Sequence, residues 1–259
     1  MTQLYLQGTT IRHYALALSA GVFAAMALNS SPASAACPVA GITNASLTDA
    51  LQAAVTAGNG GLGFPMWATI VDRDGVVCTV ARSAAPGLQW PGSRVISAQK
   101  ANTANAFSLP SFALSIANLF SATQPGGSLF GLQESNPVNP AVAYVGSSAT
   151  WGTAGDNLVG QKIGGVNVFG GGLALYNGGL VGGLGVSGDT SCADHNIAWR
   201  VRKALGLNNV PSGVAPGNND GIIYDVTGSH GNFASKSGFG HALCGGTEQA
   251  VAKSIGAGG

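Results

Sequence analysis

Charge is what this chain has least of. Only 8% of its 259 residues are Asp, Glu, Lys or Arg, against roughly 25% in ordinary soluble domains. Eleven basic side chains face ten acidic ones, for a formal net charge of +1. So sparse and balanced a set leaves no basic footprint for nucleic acid and no polybasic patch for a membrane surface. Aromatics are also few, at 7%. The 41 glycines follow no strict Gly-X-Y period, which excludes a collagen-like chain. No CxxC occurs, so zinc-finger and thioredoxin readings lose their motif.

Long apolar runs are missing too. The best candidate, Tyr14 to Leu28 after Arg12-His13, is about 15 residues, short of the roughly 20 that span a bilayer. Ala33-Ser34-Ala35 follows it and fits a small-residue cleavage site. Residues 1–35 therefore read as a secretory signal peptide of the Sec type, cut near Ala35 or Ala36. Ser34 stands where a lipid-attachment signal favours leucine, so Cys37 reads as an ordinary cysteine. Cleavage removes Arg12 and leaves ten basic and ten acidic side chains. A periplasmic or secreted location is expected, and a surface with so few charges suggests cover by other subunits.

Export sets the reading of Cys37, Cys78, Cys192 and Cys244. Four cysteines in an oxidising compartment predict two disulfides, with three connectivities open. Cys192 with Cys244 and Cys37 with Cys78 are favoured: the first would pin the C-terminal tail to the last long helix, the second the mature N-terminus to a strand. No CxxCH is present for covalent c-type haem attachment.

Along the mature chain, Ser46 to Gly58 has helical apolar spacing, with Ser46 and Asp49 as a capping box. Met66 to Val71 and Val76 to Ala81 read as strands joined by Asp72-Arg73-Asp74-Gly75. Residues 92–106 read as a helix with small alanine faces, and Phe112 to Phe120 as a short one. Residues 121–165 have little periodicity, and a loop this long is usually functional or used in assembly. Leu173 to Tyr176 and Leu180 to Val186 form a hairpin across Asn177-Gly178-Gly179. Gly182, Gly183 and Gly185 interrupt its second strand, which calls for a bulge or a close neighbour. Ser191, with Asp194 as capping box, opens a helix that Gly206 ends. An irregular tail, strand-like only at Ile222 to Val226, runs to Gly259. Antiparallel pairs separated by helices predict an α+β fold around one central antiparallel sheet.

Three stretches together are diagnostic: Asp72-Arg73-Asp74-Gly75 with Arg82-Ser83; Ala98-Gln99-Lys100-Ala101-Asn102-Thr103-Ala104; and Leu184-Gly185-Val186-Ser187-Gly188 closing on Asp194. The chain resembles the GlcG/HbpS family of small haem-binding proteins over roughly residues 44–205. The proline usual after the family's glycine pair is absent, since Gly171-Gly172-Leu173-Ala174-Leu175 stands there. Residues 121–165 and the extension 206–259 look like additions to a core spanning 36–205. The resemblance implies a profilin-like or roadblock-like sandwich, a homo-oligomer, and haem as cofactor or small-molecule ligand.

The haem-contact candidates are Lys100 and Thr103, which share a helical face, with Arg82 as a carboxylate clamp and His195 as a donor. His230 and His241 are candidate iron ligands in the tail. The plainer readings pair Lys100 with Asp72 or Asp74, pair Arg82 with Asp72, Asp74 or Asp194, bond Thr103 to backbone, and leave the histidines solvated. Gly185-Val186-Ser187-Gly188 lacks nucleophile-elbow spacing, and Gly182 to Gly185 lacks the lysine of a phosphate loop. An exported haem-binding protein is the expected function. An enzyme processing haem or a small organic acid, and a ligand-free structural oligomer, are the alternatives. The glycine-rich hairpin is expected to receive the last helix and a neighbouring subunit.

Overall fold

Four strands make one antiparallel sheet in the computed structural model, which describes residues 39, 41–228 and 232–259. Residues 1–35, expected to be a signal peptide, lie outside the described residues, as do Cys37 and His230. Helix α1 (Asn44–Thr56) precedes a hairpin of β1 (Trp67–Asp72) and β2 (Val77–Arg82). Helix α2 (Gly92–Ala106) follows, then the short α3 (Phe120–Thr123) and α4 (Pro140–Ala143). The second hairpin is β3 (Gly172–Tyr176) and β4 (Leu180–Ser187), leading into α5 (Ser191–Ala204). The tail adds a two-stranded ribbon, β5 (Val226–Thr227) and β6 (Ala234–Ser235), and helix α6 (Glu248–Ile255). The sheet order is β2-β1-β4-β3, so the two hairpins meet along β1 and β4, with Trp67 opposite Ser187 and Asp72 opposite Gly182. The α+β sheet-and-helix fold expected from the sequence is the one present.

Strand alternation divides the core in two. Ala68, Ile70, Leu173, Leu175, Leu184 and Val186 point to one side, where they meet Leu47 and Leu51 of α1 and Ile197 and Val201 of α5. Trp67, Val71 and Val80 point to the other, where Val95, Ala98 and Ala101 of α2 cover them. The α2 side is unusually close-packed. A Cβ added at Gly185 would lie 1.9 Å from the Ser97 carbonyl oxygen, and one at Gly183 2.2 Å from that of Ala101. The missing side chains of β4 thus make room for the backbone of α2. The expectation that the last helix packs over these glycines is corrected for Gly183 and Gly185: α5 lies on the opposite face, against Leu184 and Val186, and comes close instead at Gly170, where an added Cβ would lie 1.9 Å from Ser191 O.

Local signals were displaced in places. The N-cap of α1 is Thr43, which forms its capping box with Ser46, and α5 is capped by Thr190, whose hydroxyl accepts from Ala193 N–H. A helix expected over Phe112 to Phe120 is a 3-10 turn, Ile116–Leu119, running into α3, because Ala113 is held extended by a bridge to Gly213. The tail, expected to be irregular, holds an amphipathic helix, α6.

Both added segments reach the sheet edges. Val77 N–H donates to the Gln161 carbonyl and Val77 O accepts from Gly160 N–H, while Asn44 Nδ2 donates to Val80 O at 2.6 Å. On the other edge Tyr176 N–H donates to Leu207 O, and Arg202 donates to Ala174 O.

Candidate functional site

Lys100 lies mid-way along α2 and is only 2% exposed. Small residues around it (Ala98, Ala101, Ala104) let the helix lie on the sheet, and the lysine stem must then run through protein. It ends on Asp194, with Nζ 2.6 Å from Oδ2 and 3.1 Å from Val186 O. The partner is therefore Asp194 rather than Asp72 or Asp74. Asp72 instead accepts from the N–H groups of Asp74 and Val76 and closes the hairpin turn. Asp194 also accepts from Asp189 N–H. Burial pushes its carboxyl up to about 6, with Lys100 pulling the other way. A buried pair of this kind contributes orientation more than net stability.

Thr103 is fully buried; its hydroxyl donates to Gln99 O and accepts from Asn167 N–H at 2.9 Å. The segment that follows the long insertion therefore seals this position. Arg82 donates to Trp151 O and meets none of the aspartates expected for it. His195 is buried rather than solvated, with Nε2 3.1 Å from Ala257 O and Nδ1 without a hydrogen-bond partner. Desolvation lowers its pKa to about 4, so the ring is neutral at ordinary pH. Lys100 and Asp194 come together at the α2–α5 junction. Arg82 is tied to the insertion and His195 to the tail.

A disulfide joins Cys192 to Cys244, one of the connectivities open from the sequence. Cys78 is disulfide-bonded as well. Beside the Cys192–Cys244 bond sits His241, 3% exposed, its Nδ1 2.6 Å from Ala242 O and 3.9 Å from Cys192 Sγ. Its Nε2 is 3.2 Å from Ser191 Oγ, its ring packs on Phe120, and burial lowers its pKa to about 4.

Sequence reasoning missed an open concavity of the sheet domain. A cleft of about 430 Å³ is lined by Phe64, Pro65, Leu88, Gln89, Trp90, Pro91 and Gly188. Phe64 and Trp90 meet edge to face at 5.1 Å, and Leu88 and Trp90 are 69% and 55% exposed. A contiguous exposed apolar surface of this kind marks a ligand or partner site more often than chance. The available signal was Leu88-Gln89-Trp90 set between prolines in a loop, where an aromatic has no core to join.

A model of the haem degrading protein HbpS-like family matches residues 42–202. The chain belongs to the HbpS-like family. Among solved structures, this HbpS-like chain is similar to protein ORFY of Klebsiella pneumoniae, at 24% identity over 64% of this chain and 90% of that one, with a TM-score of 0.42. It is similar to PduOC, solved as a haem complex, at 26% identity over 64% and 91%, TM-score 0.42. It is similar to HbpS at 20% identity over 64% and 90%, TM-score 0.40. No curated protein matches it.

Proposed function

We propose that this is an exported haem-binding protein that takes the macrocycle at the Phe64–Trp90 cleft. The observation that carries the reading is the family match over residues 42–202. The residues singled out in the sequence do not fit a haem placed among them as they stand. Lys100 is committed to Asp194, the Thr103 hydroxyl is satisfied on both sides, and Arg82 is held by Trp151. The cleft suits a flat apolar ring better: its volume falls within the usual range for small-molecule sites, and its walls are aromatic and aliphatic. Its lining contains no imidazole, thiol, thioether or phenol, so the ring would be held by its faces rather than through iron. Support for export comes from the Cys192–Cys244 disulfide, a bond that persists in oxidising compartments. Assembly into a homo-oligomer belongs to the same reading, with Leu62, Leu88 and Trp90 exposed as an apolar surface.

Titration of the mature protein with hemin is expected to give a saturable Soret shift, and iron-free protoporphyrin to bind with similar affinity. Trp90→Ala should weaken both by about tenfold, corresponding to ~1.4 kcal/mol of lost ring contact. Absence of saturation at stoichiometric hemin overturns haem binding. Unchanged affinity in Trp90→Ala moves the site away from the cleft.

A further inference from the structure

The Cys192–Cys244 disulfide does more than staple the tail. We propose that it closes a Cys2His metal site, which a dithiol reductant opens to zinc. The two sulfurs and a ring nitrogen of His241 all lie within 4.8 Å of one another. A tetrahedral zinc ion with bonds of about 2.0–2.3 Å holds its donors roughly 3.5–3.8 Å apart. Once the sulfur–sulfur bond is broken, the thiolates need only part to that separation. The Cα atoms, 6.1 Å apart, can stay where they are.

The surroundings are organised for such an ion. The ring nitrogen facing Cys192 Sγ is Nδ1, at 3.9 Å; in the oxidised protein it carries the proton and donates to Ala242 O at 2.6 Å. Binding an ion through Nδ1 moves that proton to Nε2, 3.2 Å from Ser191 Oγ, and a hydroxyl on the second ring nitrogen then orients the metal-binding imidazole. Cys192 lies in the first turn of the 14-residue helix α5, and its N–H points to Cys244 Sγ at 3.3 Å. Helix N-terminal N–H groups favour a thiolate over a thiol. Cys192 is buried, whereas Cys244 is partly exposed, so Cys244 Sγ is the atom a reductant can reach. Thiolates with imidazole select zinc over hard cations. Ser191 Oγ, 3.4 Å from Cys244 Sγ, stands beside the fourth position.

The steps balance. One thiolate of the dithiol attacks Cys244 Sγ, and Cys192 leaves as a thiolate. The second thiolate of the reagent then displaces Cys244, so the reagent becomes a disulfide and the protein gains two electrons and two protons. Zinc binding releases those two protons. In the oxidised protein neither sulfur carries the charge that holds the ion.

The test uses the whole mature protein, oxidised or reduced with a dithiol that is then removed anaerobically. Cobalt(II) serves as the spectroscopic probe and zinc as the competitor. The reduced protein should show thiolate-to-cobalt charge-transfer bands that zinc abolishes at one ion per chain; the oxidised protein should show none. His241→Ala keeps both thiols and should bind zinc at least about tenfold more weakly, as even an outer-sphere partner is worth about 10–100-fold. Cys192→Ser/Cys244→Ser should lose the charge-transfer bands while Cys37 and Cys78 remain. Bands that survive this double substitution, equal zinc affinity in His241→Ala, or equal binding by the oxidised protein would each overturn the proposal.

Discussion

The insertion and the tail are fastened to the sheet domain by the same device, and they differ in what is added to it. Arg94 of α2 is fully buried, forms a two-point pair with Asp156 at 2.6 and 2.9 Å, and lies 4.5 Å from the centre of the Trp151 ring. Arg202 of α5 is 1% exposed, pairs with both oxygens of Asp220 at 2.6 and 2.7 Å, and lies 4.6 Å from the Trp199 ring. Each arginine comes from the core and each aspartate from an added segment. Ala143, Leu158 and Ile163 of the insertion then pack on Val95 and Ala98. Ile222, Ala252 and Ala257 of the tail pack against Cys192 and Ala117. The tail alone of the two has its disulfide to the core among the described bonds. Packing and one ion pair hold both segments; the tail adds a covalent bond beside the buried His241.

The largest effects should come from the aspartates. Asp156→Ala or Asp220→Ala strands a buried guanidinium, which costs about 3–5 kcal/mol. Chemical denaturation should register that loss in both. Hydrogen exchange should localise it to residues 121–165 in the first and to 206–259 in the second. Equal exchange in both segments would erase the distinction between them. Next comes reduction. Opening a loop closed across 52 residues removes up to about 4 kcal/mol, and this loss should fall on the tail while insertion amides keep their protection. The smallest effect is acid. Burial holds His195 and His241 near 4, below the ordinary 6.5. The stability they contribute is full above pH 6.5 and is lost as pH falls through 4. Asp194, raised to about 6, works in the opposite sense, its contribution fading as pH rises from about 4 to 6. Two groups against one leave a net loss on the order of 3 kcal/mol on acidification from pH 6.5 to 4. Both histidines contact the tail, so its amides should lose protection first; a flat pH profile would contradict that.

The sheet and its helices were legible because their periods are strong. Helix α2 matches the expected 92–106, and both hairpins sit within a residue or two of their turn signals. The partners of the charges were not legible. Asp194 looks like a capping residue by spacing, yet it pairs with Lys100, 94 residues away. Nothing near Arg94 or Arg202 in the sequence names a partner, although in a chain with so few charges an arginine inside an apolar helix needs an acid nearby. Nothing local to His195 shows that Ala257 comes back over it. Such contacts are set by the packing of distant segments, and no window of neighbouring residues carries them.

The two additions, together with Asn44 of α1 and Arg202 of α5, cover backbone groups on both borders of the sheet. Val77 and Val80 on one border of the sheet, and Ala174 and Tyr176 on the other, already spend their outward backbone groups on Gln161, Gly160, Asn44, Arg202 and Leu207. Those positions offer no template for an incoming strand. A second molecule cannot lengthen the sheet there. At those positions neither border serves as a starting point for fibre growth.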